Sequence, residues 1–137
     1  MIEYQYIESE NLTDSDAISL WLSNVIKEEG KQLGELVYVL CKDEYLVEKN
    51  IRYLDHNTLT DVITFDYCEE ELVNGDILIS TERVADNSKT YKVNYLTELH
   101  RVMVHGLLHL LGYKDKNEKD AKIMRKKENY YLNKFIN

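Results

Sequence analysis

The chain has no proline, five glycines and two cysteines among its 137 residues. With no proline, internal repeat, low-complexity tract or Gly/Ser linker, nothing marks a point of division. Residues 1–137 read as one domain, long enough to bury a core without metal or disulfide staples. Cys41 and Cys68 form no C-x-x-C pair and match no disulfide framework, which fits a reducing compartment. Long hydrophobic runs are missing too. No apolar stretch reaches the roughly 18 residues of a membrane span, and the opening Met-Ile-Glu-Tyr-Gln-Tyr lacks the basic and apolar regions of a secretory signal. A soluble, cytoplasmic protein that meets no membrane is expected. Positive charge is also short, with a net charge of −8 that by itself argues against a nucleic-acid binder. Its distribution is uneven, however. Residues 114–137 hold eight Lys/Arg against four Asp/Glu, so they carry +4 and the remainder carries −12. A basic terminal helix on an acidic body can hold a phosphate backbone, whereas the plainer alternative is a solvated helix face; charge alone favours the plainer one.

The run His105-Gly-Leu-Leu-His109-Leu-Leu-Gly112-Tyr-Lys-Asp115 carries the strongest chemical signal. Helical residues four apart lie on one face with Cβ atoms about 5–6 Å apart, so His105 and His109 can aim ring nitrogens at one ion. Gly112 supplies a left-handed residue that ends the helix, and the returning chain brings Asp115 in as a third ligand. The layout H-x-x-x-H-x-x-G-x-x-D follows the metzincin scheme with a carboxylate for the third histidine. The glutamate base that follows the first histidine in zincin peptidases is absent, its place taken by Gly106. The spacing therefore predicts a metal site but not a peptidase. With a 100° step per residue, Glu98, Arg101, His109 and Gly112 fall within about 40° of His105. Apolar residues fill the rest of the circumference, as on a buried helix with a polar stripe. The competing possibility, two core histidines satisfied by carbonyls, does not account for the glycine and carboxylate that follow. His100 points away from the stripe, and His56 carries no spacing signal.

Around this helix, periodicity predicts a strand at 2–7 with Ile2, Tyr4 and Tyr6 on one face. A helix follows the cap residues Thr13-Asp14-Ser15 and runs to about Glu29, with Ile18, Trp21, Leu22 and Val25 as its stripe and Gly30 as its stop. A strand at 35–41 and a helix at 44–53 come next. Strands at 61–65 and 76–80 form a hairpin-like pair around an acidic loop, 66–75. Helices are expected at 82–91, at about 95–111 and at 117–135, the last with Ala121, Met124, Tyr131 and Phe135 on one face. The expected class is α+β: a small mixed β-sheet of about four strands flanked by four or five helices, with a zincin-like metal helix.

Three segments together resemble the YbeY family of bacterial metal-dependent endoribonucleases. They are the histidine motif, His105 to Asp115; Thr60-Asp61-Val62-Ile63-Thr64-Phe65; and Gly75-Asp76-Ile77, with Glu98 in the helix that enters the histidine motif. The histidine motif is the specific one, and the two shorter segments add weight. The resemblance implies a single-strand-specific, metal-dependent endoribonuclease in ribosomal RNA maturation, at the 3′ end of the small-subunit RNA, and in ribosome quality control. It also implies one Zn²⁺ per chain and, as partners, ribosomal RNA and ribosome-associated proteins. The protein is expected to be a monomer. The chain departs from the family at two positions. Asp115 stands where the family has its third histidine, and zinc accepts a carboxylate oxygen there. Leu54 stands where the family has an arginine. Arg52, Arg101 and Glu98 are the candidates for catalytic groups, and Lys122, Arg125, Lys126 and Lys127 for an RNA-binding face, with Tyr130 and Tyr131 as stacking surfaces.

Two other classes compete. A ribosome-assembly or RNA-binding factor with a structural metal would hold the ion without turning over RNA. Two histidines and a carboxylate also make the Fe(II) facial triad of oxygenases, although placement on one helix and its turn favours zinc.

Overall fold

The computed structural model describes residues 1–54 and 60–136. Nine elements follow in chain order: β1 (Ile2–Tyr6), α1 (Ser15–Glu28), β2 (Gln32–Cys41), α2 (Asp43–Leu54), β3 (Val62–Asp66), β4 (Leu72–Ser80), α3 (Thr81–Tyr91), α4 (Tyr95–Leu110) and α5 (Glu118–Ile136). The strands form a four-stranded sheet in the order β1-β2-β4-β3. β1, β2 and β4 run parallel and β3 antiparallel to β4, so the sheet is mixed, and the hairpin expected around the acidic loop is the β3–β4 pair.

Two strands begin earlier than their apolar runs. β2 starts at Gln32 and β4 at Leu72, paired Gln32 with Leu72 and Leu33 with Val73, and the register shifts between Leu33 and Leu36. The side chain of Asn74 stabilises this irregular stretch by accepting from the Glu35 amide at 2.8 Å. The acidic loop therefore shrinks to residues 67–71, because a polar, glycine-containing segment is held by a bulge that no alternation pattern reveals.

The sheet separates two apolar layers. On one face, α1, α4 and α5 pack over Leu36, Tyr38, Leu40, Ile77 and Ile79, burying Leu22, Ile26, Met103, Leu107 and Tyr131. On the other, α2 sets Leu46 against Val39, Cys41, Ile63 and Leu78. Trp21 of α1 donates its indole N–H to the Tyr131 carbonyl of α5 at 2.8 Å and stacks on Phe135 at 4.6 Å, which pins the terminal helix to the body. His100 meets both rings edge-on rather than the polar stripe, and burial pushes its pKa down. Ala121, expected on the buried face of α5, is exposed, because the first turn of that helix stands off the body and burial begins at Met124. Asp14 caps α1 through its backbone carbonyl, which accepts from Ile18, and makes no side-chain cap bond. Among the described residues no helix is long and apolar enough to cross a membrane.

Candidate metal centre

α4 is capped by Asn94, whose side chain accepts from the Thr97 amide at 2.8 Å, and from Glu98 onward it buries every residue but His100, Arg101, His105 and His109. Gly106 faces the sheet. A Cβ there would lie 2.7 Å from Cγ2 of Ile77, so the position that carries a glutamate base in zincins is occupied by close helix–sheet contact. The helix ends in a Schellman turn: Tyr113 N–H donates to Leu108 O at 3.0 Å and Gly112 N–H to His109 O at 3.1 Å, with Gly112 at φ +104°. This reversal carries Asp115 back over the last turn of the helix.

The result is a tight cluster of His105, His109 and Asp115. The two Nε2 atoms are 3.0 Å apart, and Oδ2 of Asp115 lies 3.3 Å from His105 Nε2 and 3.5 Å from His109 Nε2. The side chains are 22, 27 and 37 % exposed, so the cluster opens to solvent on one side.

The outer nitrogens are fixed. His105 Nδ1 lies 2.6 Å from Oε2 of Glu128, and His109 Nδ1 lies 3.1 Å from the Tyr113 carbonyl. A carboxylate and a carbonyl are acceptors, so in each neutral ring Nδ1 carries the proton and Nε2 presents its lone pair inward. With both rings in that neutral form three acceptor atoms face one another, an arrangement that suits a cation. The donor set fits zinc. With bonds of about 2.0–2.2 Å, the edges of a tetrahedral coordination shell are about 3.3–3.6 Å, which the two carboxylate–imidazole spacings match and the 3.0 Å spacing of the imidazoles falls a little short of. Carboxylate and carbonyl partners on the far nitrogens are the outer shell of such sites.

Glu128, on α5, is the functional residue that sequence reasoning missed. It is 4 % exposed, and its Oε1 accepts from Arg101 Nη1 at 3.0 Å while Arg125 Nη1 lies 3.6 Å away. Burial alone would raise its pKa, but the His105 hydrogen bond and charge, with Arg101 and Arg125, hold it below the ordinary value. Conversely, burial works against charge on His105, yet Glu128, Asp115 and Asp61 together raise its pKa. The available signal was a lone acid in the apolar stripe of a basic helix, four residues after Met124 and three before Tyr131.

A second anchor holds the turn. Glu29, at the end of α1, accepts from the Tyr113 hydroxyl at 2.7 Å, from Lys127 Nζ at 3.2 Å and from the Tyr131 hydroxyl. Tyr113 thus links His109 of α4 to two other helices, α1 and, through Glu29, α5.

Of the other candidates, Arg101 reaches the site through Glu128. Glu98 is buried on the same stripe, where desolvation raises its pKa, and its charged neighbours are Arg101, Asp61, Arg125 and Glu128. Asp61, just before β3, accepts from Asn87 at 3.3 Å and is also pushed up by burial. The side chains of Arg52 and Leu54, and the whole of His56, lie outside the described residues. Lys122, Arg125 and Lys126 are exposed, whereas Lys127 turns to Glu29. Tyr130 is open to solvent, but Tyr131 is 1 % exposed and offers no stacking surface.

A family model described as Endoribonuclease YbeY matches residues 3–136. The chain is 48 % identical to the endoribonuclease YbeY of Flavobacterium johnsoniae over 93 % of this chain and 92 % of that protein. It is 46 % identical to the endoribonuclease YbeY of Flavobacterium psychrophilum, over 98 % and 96 %. Among solved structures, the solution structure of a Thermotoga maritima protein superposes with a TM-score of 0.68 at 26 % identity, covering 98 % of this chain and 89 % of that one.

Proposed function

The chain belongs to the endoribonuclease YbeY family, and from that premise we propose that it cuts single-stranded RNA during ribosomal RNA maturation, at a Zn²⁺ held by His105, His109 and Asp115. The observation that supports this site most directly is the convergence of three lone-pair atoms whose rings are oriented from behind by Glu128 and the Tyr113 carbonyl. A divalent ion bound there supplies Lewis-acid stabilisation of charge developing on a phosphoryl group. The protein's part is positional. Glu128 and Tyr113 O keep both Nε2 atoms free of protons, the Gly112 turn presents Asp115 from a third direction, and the exposed side of the cluster admits a phosphodiester.

In this reading residues 1–137 act as one cytoplasmic domain and as a monomer, on the 3′ end of the small-subunit RNA and in ribosome quality control, with ribosome-associated proteins as partners. Glu98 and Arg101 remain the described candidates for catalytic groups. The outward side chains of Lys122, Arg125 and Lys126 on α5 are offered to the RNA backbone, with Lys127 contributing only if its pair with Glu29 opens.

The test pairs metal content of freshly purified protein with cleavage of a single-stranded ribosomal RNA fragment, with and without chelator. One zinc per chain and cleavage lost with chelator are expected, with activity restored by zinc. Stoichiometric metal without RNA turnover would select a non-catalytic assembly factor, and retained cleavage in a His105→Ala/His109→Ala protein would remove the site.

A further inference from the structure

Arg101 and Arg125 come from different helices and meet at one acceptor. Oε1 of Glu128 lies 3.0 Å from Nη1 of Arg101 and 3.6 Å from Nη1 of Arg125, while Oε2 of the same carboxylate holds His105. Both guanidinium groups are therefore one side chain removed from a ligating imidazole. A guanidinium carries five N–H donors in a planar fork. Among the described residues Arg101 directs a single hydrogen bond, to Glu128, and Arg125 makes only the longer ion pair. Arg101 is 21 % exposed and Arg125 59 %, so neither side chain is fully enclosed by protein.

Two arginines are set against one carboxylate on that edge of the centre. The other ionisable neighbours there, Asp61 and Glu98, are acids that burial disfavours in their charged form. Planar forks with free N–H pairs are matched by an anion with several oxygens, and they bind phosphate bidentately in a way a lysine does not.

We infer that Arg101 and Arg125, aligned by Glu128, form a phosphate subsite beside the metal centre that takes a phosphodiester of the single-stranded RNA lying across it. Glu128 then positions groups on both sides, the imidazole through Oε2 and the arginine pair through Oε1. The subsite rests on the endoribonuclease reading and deepens it, because it says which groups hold the strand.

The experiment uses the full chain loaded with zinc and a fluorescent 2′-O-methyl RNA oligonucleotide, verified intact after each titration. The variants are Arg101→Gln, Arg125→Gln, the double variant and Arg101→Lys. Zinc affinity, by chelator competition, should stay within about threefold of wild type. RNA affinity should fall about tenfold or more in the double variant. The slope of log affinity against log salt should shrink by about 1.4, or about 0.7 for each lost contact on a single strand. Arg101→Lys should recover the slope but only part of the affinity.

RNA affinity and slope unchanged in the double variant, beside a wild type that cleaves RNA, would overturn the subsite and leave the endoribonuclease reading standing. Affinity lost only in step with zinc, and regained at saturating zinc, would also overturn it, since the arginines would then act through His105 alone. A wild type that neither binds nor cleaves RNA would overturn both readings. If the double variant does not fold, Arg125→Gln carries the same comparison with half the slope change.

Discussion

Glu128 and Asp115 are both carboxylates near the same pair of histidines, yet position gives them opposite work. Asp115 is partly exposed and points an oxygen at the inner nitrogens, while Glu128 is buried and holds the outer nitrogen of His105. Replacing Glu128 by Gln keeps the shape but lets an amide N–H face Nδ1, which favours the wrong tautomer. Zinc affinity is expected to fall about 10–100-fold, as for other outer-shell partners of ligating histidines, and chelator competition measures it. The same contact sets a pH dependence in metal-free protein. The folded pKa of His105 lies above 6.5, so the stability from its pairing is complete below 6.5 and disappears as pH rises through the raised value. The folded pKa of Glu128 lies below 4.5, so its contribution is present above 4.5 and is lost as pH falls through the lowered value. Thermal midpoints in chelator should therefore decline from about pH 6.5 upward in wild type and decline less in Glu128→Gln. Parallel curves for the two proteins would dissociate His105 from the effect.

At the level of elements, two glycines of the metal motif constrain the backbone for different reasons. Gly112 needs its positive φ, and an added Cβ would meet nothing within 4 Å, so Gly112→Ala is strained by conformation alone. A cost of about 1–2 kcal/mol is expected, with zinc affinity falling as well because Asp115 hangs from this turn. Gly106→Ala instead drives a methyl into Ile77 and should cost about 1–3 kcal/mol by overpacking. Thermal denaturation with and without zinc separates them: Gly112→Ala should narrow the gap between the two midpoints, whereas Gly106→Ala should lower both together. The helices and the central parts of the strands were legible in the sequence, because burial follows their apolar periods: Ile18, Trp21, Leu22 and Val25 in α1, and alternation in β1. The early starts of β2 and β4 were not, since Gln32–Gly34 and Leu72–Gly75 are held by pairing and by Asn74, not by an apolar period. The clustering of His105, His109 and Asp115 was legible because the three residues are local, within eleven residues of chain. Glu128 and Glu29 were not read, because a lone acid in an apolar stripe shows only that it is buried, and its partners are brought in by tertiary packing.

For the molecule as a whole, that locality decides what metal removal does. The three proposed ligands belong to α4 and its turn, so an ion held there would not itself cross-link distant elements. Among the described residues it would reach α5 through His105 and Glu128, and both α1 and α5 through Tyr113 and Glu29. The main core beneath them is apolar and continuous across α1, α4, α5 and the sheet, and it contains none of the three ligands. The metal-free chain is therefore expected to stay folded, unlike small domains whose only core is the metal. Zinc present at a thousandfold over its dissociation constant adds about 4 kcal/mol. At roughly 3–5 °C per kcal/mol for a chain of this size, the chelated protein should melt roughly 12–20 °C lower. The loss should be uneven. Amide exchange ought to quicken first in residues 111–117 and in the turn of α5 around Glu128, while β2 and β4 keep their protection. Circular dichroism and hydrogen exchange on chelated protein at 25 °C measure both parts. Global loss of helix signal on chelation would mean that the apolar core is insufficient and that the centre holds the fold as well as the substrate.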